Sequence, residues 1–128
     1  MKIHRHLHWV LLLSLLFSAL AFAAPLSEQQ KIDALIHSVE TLQGAQFIRN
    51  GSAYDGKAAA EHLQYKRSHA GDQIKTASDF ITNLASHSSM SGQPYQIRYT
   101  DGKTIDAEVY FRAELKRIEA QPATASKR

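Results

Sequence analysis

Apolar positions recur along this chain with two different periods, and the change of period marks the elements. Ile32, Leu35, Ile36, Val39 and Leu42 return every third or fourth position and fall within one arc of a helical wheel. Ser27-Glu28-Gln29-Gln30 precedes them with capping-box spacing, in which Ser27 accepts from the Gln30 amide and the Gln30 side chain reaches back. The pattern predicts a helix that ends near Gly44, a residue free to take positive φ at a helix stop. Asp33, His37 and Glu40 lie away from the centre of the apolar arc, so His37 is expected to face solvent.

Three further helices follow from the same reasoning. Asp55 is an N-cap for a helix through Lys66, with Ala58, Ala59 and Leu63 along one side. Thr76 and Asp79 repeat the capping logic before the stripe Phe80, Ile81, Leu84 and Ala85, which stops near His87. Asp106 can cap a last helix in which Ala107, Phe111, Leu115 and Ile118 share a face. Between them, Tyr95 to Tyr99 alternates with period two, Asp101-Gly102 signals a hairpin turn, and Lys103 to Ile105 can return as a partner strand. Phe47-Ile48 is a short strand or an extended lead-in to Asn50-Gly51, the strongest turn signal in the chain. The polar stretch from Ser68 to Ile74 is a loop or a frayed helix end, and a serine-rich loop runs from Ser86 to Pro94. The sum is an α+β fold, mostly α, with about four helices and one short antiparallel hairpin in a single small domain without repeats. A lone hairpin is marginal in water and must lie on the helices.

The N-terminus belongs to a different category. Lys2 and Arg5 precede an apolar run from Trp9 to Leu20, and Ala21-Phe22-Ala23 supplies the small residues of a signal-peptidase site. The expectation is a signal peptide over residues 1–23, a globular domain over 24–120 and a disordered tail over 121–128. Ala24 is a near alternative for the cleavage point. The apolar run is too short, with its flanks, to read as an anchor, so a periplasmic location without stable membrane insertion follows. The chain has no cysteine, which removes both a disulfide framework and a lipid-attachment cysteine. Such a domain must rely on its core alone.

Cleavage would also take Lys2 and Arg5, leaving 13 of the 15 basic residues against 12 acidic ones. The basic residues are scattered rather than striped, which argues against nucleic acid as a partner.

Candidate chemistry gathers near one helix. His62 and Lys66 are four residues apart and therefore neighbours on one helical face, inside the arc set by the alanines. With Arg49 they could grasp a carboxylate or phosphate group. The competing structural reading sends Lys66 out to solvent and has His62 bonded to a core carbonyl. The serines from Ser86 to Ser91 invite a nucleophile, yet no Gly-x-Ser-x-Gly elbow is present and no Ser-x-x-Lys pair falls in the loop. After cleavage four histidines remain, His37, His62, His69 and His87, and none is spaced for metal binding with another. No cofactor and no metal are expected.

Phe47 to Ser52, Tyr54, Ala59-Ala60-Glu61-His62-Leu63 with Lys66, Thr76, Phe80-Ile81 and Ser88-Ser89-Met90-Ser91-Gly92-x-x-Tyr95 together resemble a known family. It comprises small exported proteins of Gram-negative bacteria, the YfeK-like proteins, whose domain is of unknown function. The resemblance implies a periplasmic home and carries no activity. A shorter match, Ser91-Gly92-Gln93-Pro94-Tyr95, is similar to the Ser-Gly-x-x-Tyr loop of periplasmic lysozyme inhibitors, although those are β-barrels.

The leading expectation is a non-enzymatic binding or interaction domain for an anionic small ligand, a peptide or an envelope protein. Arg49, Asn50, Tyr54, His62 and Lys66 would face Ser89, Ser91, Gly92 and Tyr95 across a groove. The alternatives are a small serine hydrolase with His62 as base and the lysozyme inhibitor just described.

Overall fold

The computed structural model describes residues 24–121, and both the expected signal peptide and the last seven residues of the expected tail lie outside them. Helix α1 spans Glu28–Glu40 and opens on the Ser27 capping box, with both reciprocal bonds formed. It buries Ile32, Leu35, Ile36 and Val39 and leaves His37 exposed. Strands β1 (Gln46–Arg49) and β2 (Ser52–Tyr54) form a hairpin around Asn50-Gly51. Both turn residues have positive φ, +50° and +81°. That is the backbone twist a two-residue hairpin needs, and an asparagine followed by glycine tolerates it best. Helix α2 (Gly56–Ala70) starts on the Asp55 cap, which accepts from the Ala58 amide at 2.8 Å. It runs beyond Ser68 into a 3₁₀ turn at Gly71–Gln73, so most of the expected polar loop is helical.

Helix α3 (Ala77–Phe80) begins on the Thr76–Asp79 capping box and widens at once into a π-helical turn over Ile81–Ala85. Strands β3 (Gln96–Arg98) and β4 (Thr104–Asp106) form the second hairpin, and α4 (Ala107–Glu119) closes the chain. Asp106 does not cap α4 with its side chain. It ends β4 opposite Gln96, and its carboxylate lies 3.5 Å from the Gln96 amide instead. The first amide of α4 is satisfied by the Tyr95 carbonyl at 2.8 Å.

The fold class is α+β and mostly helical, with a sheet larger than a single hairpin. β1 also pairs with β3, giving four antiparallel strands in the order β2-β1-β3-β4. The registers align Tyr54, Phe47, Ile97 and Ile105 in one row across the sheet. This row points inward, with Ile97 wholly buried, while Ala53, Gln96 and Asp106 in the neighbouring row are exposed. Helices α2 and α4 contact the sheet, and α1 packs against both helices. The core is completed by Phe80 and Phe111, edge to face at 6.4 Å.

The helices meet closely at one point. A Cβ on Gly56 would stand 2.5 Å from the Val39 carbonyl oxygen and 3.1 Å from that of Glu40. Backbone cannot swing aside as a side chain does, so Gly56→Ala should destabilise the domain by about 1–3 kcal/mol. A chemical-denaturation midpoint equal to that of the parent protein would refute this close contact.

Candidate functional site

A cavity of about 350 Å³ lies between the inner face of the sheet and α2. Its position follows from two periodicities. Alternation along β1 puts Arg49 on the same side as Phe47, and helical spacing puts His62 one turn before Lys66 on α2. Phe47, Ala58, Ala59, Leu63, Ala107 and Phe111 supply apolar wall. Arg49, Tyr54, His62 and Tyr95 supply the polar end, with the exposed Glu61 at the margin.

The polar end is one connected network. Arg49 Nη1 lies 2.8 Å from His62 Nδ1 and 2.9 Å from Nε2. Its Nη2 donates to the Tyr54 hydroxyl at 3.1 Å, and the guanidinium carbon sits 4.8 Å from the Tyr54 ring centre. His62 Nε2 lies 3.3 Å from the Tyr95 hydroxyl. That same hydroxyl accepts from Lys66 Nζ at 3.3 Å. A neutral imidazole offers one lone pair to Arg49 whichever nitrogen holds the proton, whereas a doubly protonated ring would set N–H against N–H. His62 is therefore neutral here. Partial burial, then the charges of Arg49 and Lys66, hold its pKa below the usual histidine value.

Lys66 neither reaches solvent nor meets a carboxylate. It is 9% exposed, and its ammonium donates to the Leu84 carbonyl at 2.7 Å, the His87 carbonyl at 3.1 Å and the Tyr95 hydroxyl. All three N–H bonds are thus used. The π turn explains the first acceptor: a helix end leaves carbonyls without amide partners, and a cation is the favoured group there, while the His87 carbonyl comes from the segment just beyond it, which bridges to Pro94. The Ser86 hydroxyl closes the turn by donating to the Ile81 carbonyl at 2.5 Å. Burial, and after it the charge of Arg49, lowers the Lys66 pKa to about 8. Burial conversely raises that of Tyr95, while the Arg49 hydrogen bond lowers that of Tyr54.

Among the described residues neither Arg49 nor Lys66 forms an ion pair. Every ion pair lies on α1, α2 or α4, on residues outside the cavity lining. The polar end is consequently rich in donors and short of negative charge.

Asn50 belongs to a second, adjoining network. Its amide donates to the Ser88 hydroxyl at 3.3 Å, and its carbonyl oxygen accepts from the Ser91 hydroxyl at 2.6 Å. Ser88, buried at the base of the loop, also accepts from the amides of Met90 and Ser91. The Gly92 amide returns to the Ser88 carbonyl at 2.9 Å. These bonds tie the β1–β2 turn to the serine-rich loop and so hold Arg49 and Tyr95 on facing walls. Ser89 stands apart, exposed and without a hydrogen bond among the described residues, next to the 97% exposed Met90.

The expected residues thus divide: Arg49, Tyr54, His62, Lys66 and Tyr95 meet in one network, and Asn50, Ser91 and Gly92 in the other. Ser88, Phe47, Ala107 and Phe111 were not expected as site residues. Ser88 carries no signal beyond its neighbours, and the other three read simply as core or strand. No serine hydroxyl lies within hydrogen-bond distance of His62 among the described residues, which disfavours a Ser–His nucleophile. Tyr95 is itself 9% exposed and bonded inward, so it is not displayed as the inhibitor loop would require.

The chain belongs to the family of unknown function DUF5329, whose model matches residues 26–119. It is similar to the uncharacterized protein YfeK of Salmonella typhimurium, 35% identical over 68 residues, covering 53% of this chain and 57% of that protein. The chain therefore spans little more than half the length of this relative. No solved structure matches it. Residues 26–119 include both networks and the whole cavity lining.

Proposed function

We propose that the protein is a non-enzymatic binding domain of the bacterial periplasm that takes an anionic group at Arg49, His62, Tyr54 and Tyr95. The N-terminal pattern of Lys2, Arg5, an apolar run and Ala21-Phe22-Ala23 supports the location. One observation carries the activity: Arg49 stands at the wall of an apolar cavity with no carboxylate partner, among side chains that already spend their acceptors on it. A partly desolvated cation without a counter-charge favours whatever brings one. The binding residues come from β1, β2, α2 and the residue before β3, and Asn50, Ser88 and Ser91 tie the β1–β2 turn to the loop that leads to Tyr95, so much of the cluster is held before a ligand arrives.

The test is an NMR titration with sodium acetate replacing chloride at constant ionic strength. Saturable shifts confined to Arg49, Tyr54, His62 and Tyr95 are expected, and Arg49→Gln should remove them, a loss of at least about tenfold in affinity. Unsaturable shifts, or saturation that survives Arg49→Gln, would overturn the reading.

A further inference from the structure

We infer that the ligand is an amphipathic monocarboxylate, a single carboxylate on an apolar body, bound head to Arg49 and body among Phe47, Leu63 and Phe111. This rests on the anion-binding reading and narrows it in charge, shape and size.

The charge follows from which cation reaches the cavity. Arg49 lines it, whereas Lys66 does not, and the Lys66 ammonium is closed off by the Leu84 and His87 carbonyls and the Tyr95 hydroxyl. His62 is neutral in this network, so Arg49 is the one cation of the lining, and the exposed Glu61 is its one carboxylate, not paired with Arg49. A monoanion pairs with Arg49. A dianionic phosphate monoester would bring a second negative charge into an apolar setting with nothing to answer it. The planar guanidinium also matches the planar carboxylate in two-pronged contact. The phenol of Tyr54 accepts from Arg49 and that of Tyr95 from Lys66, so each can turn its own proton to a carboxylate oxygen.

Shape and size follow from the rest of the wall. Beyond the polar end and Gln96 the lining is aromatic or aliphatic, with alanine at 58, 59, 85 and 107. Alanines at these positions keep open a volume that larger residues would fill. About 350 Å³ sits at the small end of ligand pockets, enough for a short acyl or aryl group and too little to enclose a peptide or a glycan chain. An apolar body gains by leaving water for such a wall, and its length adds affinity that the headgroup alone does not supply.

The probes are octanoate, acetate, octan-1-ol and octyl phosphate, titrated calorimetrically into the purified full chain. Octanoate should bind one to one, at least about tenfold more tightly than acetate and than octan-1-ol, and more tightly than octyl phosphate at a pH where that probe is a dianion. Arg49→Gln should erase the preference for octanoate over octan-1-ol. Ala59→Leu or Ala58→Leu should weaken octanoate at least about tenfold more than acetate, with circular dichroism confirming the fold. If octanoate binds no more tightly than acetate, the apolar body is wrong while anion binding stands. Tighter octyl phosphate overturns the monoanion assignment alone. Equal affinity for octan-1-ol and octanoate sinks both this inference and the anion reading beneath it. The ligand series in the parent protein decides the matter even where a leucine variant fails to fold.

Discussion

Raising the pH from 8 to 10 should make this protein more stable, by an amount on the order of 2 kcal/mol. The cause is Lys66, whose pKa in the folded state is about 8 against 10.5 for an unperturbed lysine. Between those values the unfolded chain holds more protons than the folded one, so stability rises with pH. The contribution is complete above the unfolded pKa and is lost as pH falls through the folded one. The hydrogen bonds survive the titration: a neutral amine still offers two N–H groups to the Leu84 and His87 carbonyls and can accept the Tyr95 proton. Two and a half pKa units at about 1.4 kcal/mol each give the whole effect, of which about two-thirds falls between pH 8 and 10. Lys31 does not interfere, because its carboxylate partners Glu28 and Glu119 raise its pKa. Tyr95 and Tyr110, pushed above the tyrosine value by burial, act in the opposite sense near pH 10, where the unfolded chain loses those protons first. Urea denaturation across this window should show the rise in the parent protein and its loss in Lys66→Met. A parent profile that is flat or falling would mean that Lys66 is not buried as a cation.

The second large effect is in the core. Phe80→Ala should cost about 3–5 kcal/mol, the range for removing a fully buried aromatic ring. Phe80 has no solvent exposure and meets Phe111 edge to face at 6.4 Å, with the planes at 81°. Phe111 in turn packs at 5.3 Å against Tyr110 and lines the cavity. A domain of this size with no cysteine has no covalent cross-link to fall back on, and total stabilities of about 5–15 kcal/mol are usual. The thermal midpoint should fall by roughly 20 °C, and Phe80→Leu should fall much less. A calorimetric midpoint within a few degrees of the parent for Phe80→Ala would show that the ring is not part of the core.

Much of the fold was legible because local chemistry and tertiary packing agree. Ser27 and Thr76 cap their helices through the bonds their spacing predicts, and Ile32, Leu35, Ile36 and Val39 bury the face their period marks. Asn50-Gly51 turns where that pair must. Other features were not legible. Ser52-Ala53-Tyr54 carries no strand signal of its own, and it becomes one because β1 and β3 pair and leave β1 a free edge. Asp106 could have capped α4, but strand pairing put its side chain beside Gln96. The π turn at Ile81–Ala85 looks from its residues like an ordinary continuation of α3.

The candidate site divides along the same line. Helical spacing already placed His62 and Lys66 together, because that relation depends only on the backbone period, whereas Arg49 joins the side of Phe47 only because β1 runs through it. It could not say what answers the Lys66 charge. The answer is two main-chain carbonyls, which every residue carries and no sequence distinguishes, presented by a helix end and the segment just beyond it that only packing forms. Nor could it say that Arg49 would meet His62 and Tyr54 without an ion pair among the described residues, since the closeness of β1 to α2 is a long-range contact. Local periods and caps determined the elements and the candidate residues. The tertiary structure decided which charges are left unanswered, because the distance between groups far apart in the chain is set by how its elements pack.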